Sequence, residues 1–292
     1  MPTTRWVGDL LPRCDFPGPG SPIDCAVSGG ADSLALMVLA VEAGCVVTAW
    51  HVDHGLRPGS ADEATHVEAA AARFGAEFRS VSAEVAPGSN LEERARQQRR
   101  DLLPDGVATG HTADDQAETV LINLLRGSGL DGLAGMAPGP THPILGLRRL
   151  ETHKLCAEVG LAPVDDPSNS DRRFVRNALR HDFLPALDAL VKRDVSGLLA
   201  RQARHLREEA DLLDTLASAL DPVDASALSA APPPLARRAV RMLLKPHLGG
   251  RPPSEAAVER VLAVARGESV ASEVGDGVRV ERRSGRLSVR RA

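Results

Sequence analysis

The feature that most restricts this chain is a short apolar strand running straight into Ser28-Gly29-Gly30-Ala31-Asp32-Ser33 and then into a helix. Residues 23–27 form the strand, with β-branched residues at both ends, and residues 32–43 read as the helix. Two glycines let the backbone curl, so that several N–H groups point inward at the helix N-terminus, where the peptide dipoles favour an anion. Ser28 and Ser33 add hydroxyl donors, and Asp32 could hold Mg²⁺ against phosphate oxygens. The chain lacks G-x-x-x-x-G-K-S/T, so this is not a Walker A loop. The plainer alternative is a helix start with a serine cap and a glycine turn.

The pattern then repeats. Residues 45–52 read as a second strand, 61–74 as an Ala-rich helix and 77–81 as a third strand. A helix over 91–103 is stopped by Pro104, and 106–109 is a fourth strand. The helix over 114–126 carries apolar Ala117, Val120, Leu121, Leu124 and Leu125 at helical spacing. Strands separated by helices of this length predict an α/β fold with a doubly wound parallel sheet. Ligands of such sheets bind at the carboxyl ends of the strands. Residues 28–33, 51–57 and 109–118 therefore converge on one crevice.

After Gly127 the texture changes. Prolines punctuate 138–140 and 163–167 around a helix over 148–159, and a basic helical stretch runs over 173–220. The 221–234 segment, with Asp221-Pro222 and then prolines 232–234, marks a boundary, followed by helices over 234–245 and 254–265, the second capped by Ser254. Short strands over 270–274, 278–282 and 287–289 flank Gly275-Asp276-Gly277, a hairpin signal. A small α+β domain closes the chain.

Composition narrows the partners. The net charge of −4 is unevenly spread. Residues 172–210 carry a local +4 and residues 279–292 a local +5, on a body near −13. Only those segments could meet a phosphate backbone. Aromatic residues are 2% with no tyrosine, which argues against a sheet of base-stacking aromatics. Four dispersed cysteines (Cys14, Cys25, Cys45, Cys156) form no C-x-x-C and fit a reducing, cytoplasmic setting. The start of the chain has too short an apolar stretch for a signal peptide, and no run of 18 apolar residues spans a membrane.

Two further patterns need weighing. Gly127 to Gly132 matches G-x-G-x-x-G, but it follows a helix where the dinucleotide fingerprint requires a strand, so the NAD reading is rejected. His51, Asp53 and His54, or His111, Asp114, Asp115 and Glu118, contain metal-ligand types, yet strand-end His and Asp commonly satisfy turn backbone. Thr112-x-x-Asp115 is also a capping box. The functional alternative puts Asp115 and Glu118, one turn apart, at the crevice mouth to meet an amine or Mg²⁺.

Read in order, S-G-G-A-D-S, H-V-D-H-G-L-R, A-R-Q-Q-R-R, T-G-H-T-A-D-D-Q-A-E-T, R-G-S-G-L-D-G-L-A-G-M and D-D-P-S-N-S-D-R-R-F-V-R-N-A-L-R resemble the tRNA(Ile)-lysidine synthases, a family of pyrophosphate-loop ATPases. The motifs span residues 23–187. Arg100 stands where the family more often has Tyr, and Thr112 where a second His is frequent.

The resemblance implies a ligase. ATP would adenylate the C2 oxygen of the wobble cytidine in CAU-anticodon tRNA(Ile), and L-lysine would displace AMP to form lysidine, changing the tRNA from Met to Ile specificity. It implies catalytic roles for Asp32, Arg96, Asp114, Asp115, Glu118 and Arg176. ATP would be bound by Ser28, Gly29, Gly30, Ala31, Asp32, Ser33, His51, Gly110, Arg176 and Arg180, with Mg²⁺ on Asp32. Asn177 could close over the phosphates beside Arg176 and Arg180. The corresponding division is a catalytic domain over 1–187, a helical connector over 188–220 and a tRNA-binding domain over 221–292. A homodimer is one candidate assembly. The alternatives are another ATP-pyrophosphatase acting on tRNA, such as a thiolase, and a non-catalytic nucleotide-binding protein.

Overall fold

The computed structural model describes residues 5–53, 60–82, 101–164 and 170–291. Several expectations lie outside the described residues: His54 to Arg57, Arg96 with the A-R-Q-Q-R-R motif and most of the 91–103 helix, and the D-D-P-S-N run at 165–169. The chain divides into two compact units, Met1–Arg204 and His205–Ala292.

The first unit opens with a short helix α1 (Arg5–Leu10), which sequence patterning did not anticipate. Its Val7 and Leu10 are buried in the core that also holds Ile23 and Leu36. Strands β1 (Pro22–Ala26), β2 (Val46–Asp53) and β3 (Glu77–Ser82) form a parallel sheet in the order β1-β2-β3. Helices α2 (Ala31–Glu42) and α3 (Ser60–Phe74) connect them. The expected fourth strand shrinks to one parallel bridge, Ala108 against Cys25. There the Ala26 N–H donates to the Ala108 carbonyl at 2.9 Å, and the Ala108 N–H donates to the Asp24 carbonyl at 2.8 Å. These groups leave β1 on the side away from β2, so the strand order reverses at β1. A ligand crevice opens where such a reversal occurs, at the carboxyl end of the strands. The Ser28–Ser33 loop stands at that end.

Helix α2 is apolar on every side from Leu34 to Ala40, and all seven of these residues are buried. A helix with that pattern belongs inside the protein. Helix α4 (Ala113–Leu125) buries Ala117, Val120 and Leu121, but its expected apolar stripe ends there. Leu124 and Leu125 are 55% and 70% exposed. After the short α5 (Leu130–Leu133), α6 (Arg149–Glu158) buries Leu155 and Cys156.

The expected basic helical stretch over 173–220 is made of three helices. α7 (Val175–Ala178) passes through a π-helical turn (Leu179–Phe183) into α8 (Leu184–Val191). Lys192 then adopts a left-handed conformation, φ 54°, and ends the helix. The new helix α9 (Val195–Ser218) has its first donors satisfied by two carboxylates. Asp188 accepts from the Val195 N–H at 2.8 Å and Asp194 from the Gly197 N–H at 3.2 Å.

In the second unit, α10 (Ala225–Ala230), α11 (Pro233–Leu244) and α12 (Glu255–Arg266) surround a core of Leu228, Val240, Leu244, Val258 and Val261. Asp224 caps α10, and the Ser254 hydroxyl caps α12 as expected, accepting from the Ala257 N–H. The antiparallel strands β4 (Ala271–Gly275), β5 (Val278–Arg283) and β6 (Arg286–Arg291) add Val278, Val280 and Leu287 to that core. Asp276-Gly277 and Ser284-Gly285 both turn with positive φ at each central residue, the geometry that matches the strand twist of a two-residue hairpin. Among the described residues no helix is long and apolar enough to cross a membrane.

Leu36 is fully buried in α2. Leu36→Ala should lower the unfolding free energy by about 2–5 kcal/mol in urea denaturation. Leu125→Ala, at an exposed site of α4, should change it by less than about 0.5 kcal/mol.

Candidate active site

The loop that leaves β1 is fixed by its own side chains. Gly29 has φ 89°, a conformation open to glycine, and its carbonyl accepts the Val164 N–H at 2.9 Å. The Ser33 hydroxyl accepts from the Ser28 N–H at 3.1 Å and donates to the Gly30 carbonyl at 2.9 Å. The Ser28 and Ser33 hydroxyls are 3.2 Å apart. Ser33 therefore holds the loop closed from within the first turn of α2. Gly30 begins that helix with no side-chain cap, and the Leu34 N–H makes the first intrahelical bond. The preceding N–H groups, of Ala31, Asp32 and Ser33, have no intrahelical acceptor. An uncapped helix start beside a glycine turn suits a phosphate.

Two expected residues support this loop from below. His51 is buried, with Nδ1 2.9 Å from the Val27 carbonyl. Gly110 lies so near α2 that an added Cβ would come within 2.8 Å of the Asp32 backbone. Glycine is required there by the close approach of two backbones.

Around the loop, three carboxylates meet three guanidinium groups. Glu118 is fully buried, and its Oε1 accepts from Arg180 Nε at 2.7 Å. Arg180 Nη2 reaches Glu118 Oε2 at 3.1 Å and Asp115 Oδ1 at 3.3 Å. Arg176 Nε lies 3.7 Å from Glu118 Oε2. Arg149 reaches all three acids: Asp32 at 3.4 Å, Asp115 at 2.9 Å and Glu118 at 3.5 Å. The Thr152 hydroxyl donates to Asp32 from one turn along α6. The π turn bears on this arrangement, since it starts three residues after Arg176 and contains Arg180. Such turns re-aim side chains and are frequent at functional sites.

The neighbouring acids differ in electrostatics. Burial pushes the Asp32 carboxyl above its usual range, despite the Thr152 hydrogen bond and the Arg149 charge. Asp115 is more deeply enclosed, yet Arg149 and the Thr112 N–H and hydroxyl hold it below that range. Asp115 and Thr112 form the capping box of α4. Asp115 thus has both roles, with Oδ2 on the cap and Oδ1 on the arginines.

Asp114 faces elsewhere. Its oxygens take Arg148 Nη2 at 2.8 Å, Arg148 Nε at 3.0 Å and the Arg149 backbone N–H at 2.8 Å. It ties the start of α6 to the start of α4. Asn177 is buried and donates to the Asp171 carbonyl at 2.9 Å. Gln116 and Asn123 pin the Gly127–Met136 segment to α4 through the Met136 N–H and the Gly132 carbonyl.

The structure therefore brings together Asp32, Asp115, Glu118, Arg176 and Arg180 beside the Ser28–Ser33 loop, with His51 and Gly110 beneath it. Arg149 and Thr152 were missed by sequence reasoning. A signal existed. Arg148 and Arg149 place two cations at a helix N-terminus, against the peptide dipoles, which calls for nearby compensating acids. Among the described residues no group of three His, Cys, Asp or Glu is arranged to hold a metal. All four cysteines are free, and burial pushes the Cys14, Cys25 and Cys156 thiols up to about 12.

Comparison with known proteins gives the family. A PP-loop domain profile matches residues 17–187, and a TilS substrate binding domain profile matches residues 224–288. The tRNA(Ile)-lysidine synthase of Nocardia farcinica is 40% identical over 98% of this chain and 95% of its own. That of Rhodococcus opacus is 40% identical over 93% and 90%. The chain belongs to the tRNA(Ile)-lysidine synthase family. As a member of that family it is a PP-loop enzyme of tRNA modification, and the PP-loop domain implies ATP binding. Among solved structures, U34-tRNA thiolase NcsA from Methanococcus maripaludis shares the fold at 19% identity, TM-score 0.54, over 70% of this chain and 80% of that one.

Asp114 ties the start of α6, which carries Arg149, to the start of α4, and this gives a pH test. Arg148 and the Arg149 N–H hold the Asp114 carboxyl below its usual range. That contribution is present above the ordinary value of about 4 and is lost as pH falls through the lowered one. Asp32, shifted upward, has the opposite sign. Asp114→Asn should cost about 1.5–3 kcal/mol at neutral pH. Its stability should also fall less steeply than wild type below about pH 4, read by urea denaturation across pH.

Proposed function

We propose that this chain uses ATP to activate the wobble cytidine of a CAU-anticodon tRNA(Ile) and joins L-lysine to it as lysidine. The observation that carries the reading is the uncapped start of α2 facing a balanced cluster of three arginines and three acids. A triphosphate laid on the loop meets the Ala31, Asp32 and Ser33 N–H groups, and Arg149, Arg176 and Arg180 are near enough to neutralise the departing pyrophosphate. The cytidine O2 attacks the α-phosphorus, and the bond to pyrophosphate breaks. The lysine amine then adds at C2, the C2–O bond breaks and AMP leaves. Adenylation matters because a carbonyl oxygen is a poor leaving group and AMP is a good one.

Asp115 and Glu118 serve the amine in this reading. Exposed to an ammonium, their carboxylates pair with it and then accept its proton, a role worth about 10²–10⁴-fold in rate. Asp32 is the residue suited to Mg²⁺. Its half-buried carboxyl sits in the first turn beside the phosphate-facing N–H groups, held from α6 by Arg149 and Thr152. Mg²⁺ takes one or two carboxylates with substrate phosphates, and supplies charge neutralisation on those phosphates. The raised thiols of the four scattered cysteines speak against the thiolating alternative.

Residues 1–187 carry catalysis in this proposal, 188–220 connect and 221–292 bind tRNA in the cytoplasm. The basic edge of the second unit supports the last assignment, since Arg283, Arg290 and Arg291 on β5 and β6 are exposed.

Three experiments test the proposal. Asp32→Asn should lower tRNA-dependent pyrophosphate release by several kcal/mol of transition-state free energy, at least about 10²-fold, with unchanged circular dichroism. If the wild-type protein incorporates no labelled lysine into a CAU-anticodon transcript, the function is wrong. The double variant Arg283→Ala, Arg290→Ala should weaken tRNA binding and flatten the salt dependence of log Kd by about one unit per lost phosphate contact.

A further inference from the structure

We propose that Arg149 is a charge latch that keeps Asp115 and Glu118 closed to an amine until phosphate draws its guanidinium away, so that lysine enters after the nucleotide. The inference rests on the function proposed above and adds an order of binding to it.

Reach is the first argument. Among the described ion pairs, Arg149 alone joins the acid of the phosphate loop, Asp32, to the two acids of α4. Its Nε, Nη2 and Nη1 each take a different carboxylate. Two of these contacts, at 3.4 and 3.5 Å, are longer than the 2.7–2.9 Å typical of a charged pair. Arg180, by contrast, holds Glu118 at 2.7 Å. Arg149 is shared among three partners and held tightly by one.

Availability is the second. Asp115 Oδ2 is occupied by the Thr112 N–H at 2.9 Å and the Thr112 hydroxyl at 2.8 Å. Oδ1 is the oxygen left for a ligand, and Arg149 and Arg180 both occupy it. Glu118 Oε1 likewise carries Arg149 and Arg180. An ammonium arriving in this state meets carboxylates that are already paired.

Exchange is the third. A phosphate beside Asp32 competes with that carboxylate for the same guanidinium, which trades one anion for another at little net electrostatic cost. Once Arg149 leaves, Asp115 Oδ1 keeps only the 3.3 Å contact to Arg180, so a lysine ammonium can take the position that the 2.9 Å Arg149 contact held. Thr152 keeps its hydrogen bond to Asp32 from α6, so the loop acid stays in place when the guanidinium moves. Arg149 is a positioning residue in this scheme, acting on the amine through Asp115 and Glu118.

Calorimetry on the full chain reads the latch. The wild type should bind L-lysine at least about tenfold more tightly with α,β-methylene-ATP and Mg²⁺ present than without. Arg149→Met should bind lysine without nucleotide and show coupling near one, while Arg149→Lys should restore part of the coupling. Should Arg149→Met fail to fold, Arg149→Gln decides in its place: lysine should bind without nucleotide and the coupling should fall near one. Equal lysine affinity with and without the analogue, or coupling that survives in Arg149→Met, overturns the latch and leaves the proposed function standing. No lysine binding by the wild type under any condition overturns both.

Discussion

Three helix starts converge where the strand order reverses, and the charges placed on their first turns hold the first unit's site together. Asp32 lies in the first turn of α2, Asp114 and Asp115 in that of α4, and Arg149 opens α6. The acids are favoured there by the helix dipoles and the arginine is not. Its place is explained by what it bridges, since one guanidinium contacts acids on both other helices. Backbone links make the junction stiff. The Ala113 N–H donates to the Leu147 carbonyl at 2.8 Å, and the Arg149 N–H to Asp114 at 2.8 Å. Displacing any one of the three helices would break a charged contact of the others.

Much of this was legible before the structure. The strand, glycine turn and helix around Ser28–Ser33 follow from composition and spacing, and the capping box at Thr112 and Asp115 is present. The hairpin at Asp276-Gly277 was readable because only a few residues tolerate positive φ twice in succession. Other parts were hidden for definite reasons. Asp114 and Asp115 look equivalent in sequence, yet adjacent helical residues point about 100° apart. Asp115 and Glu118, three apart, share a face and meet the same arginines. Asp114 points to Arg148. Helical spacing thus favours grouping Glu118 with Asp115 over Asp114.

Arg149 was hidden by a different cause. In a chain where arginine far outnumbers lysine, one more basic residue at a loop exit carries little signal. Its partners lie 31 to 117 positions away in sequence, a separation that no local pattern reports. The break at Lys192 was obscured too, because a basic helical run gives no warning of a left-handed residue within it. The acids Asp188 and Asp194 that satisfy the next helix were visible only as ordinary surface charges.

The arginine bias acquires a chemical meaning at the site. On the proposed route, a tRNA adenylate waits for attack by an amine, and any neutral lysine side chain nearby would be a competing nucleophile. Only Lys154, Lys192 and Lys245 occur in the chain. None of the three takes part in the described ion pairs around Asp32, Asp115 and Glu118; the Lys154 ammonium lies over the Trp6 ring at 5.9 Å. The cations that face the acids are guanidinium groups, which stay protonated in proteins and do not attack. The surrounding acids push Arg149 further in that direction. Guanidinium also grips carboxylate and phosphate in the same planar, two-pronged way, so exchanging one for the other needs little reorganisation. A site lined with lysine could supply equal charge, but it would put rival nucleophiles beside a reactive adenylate.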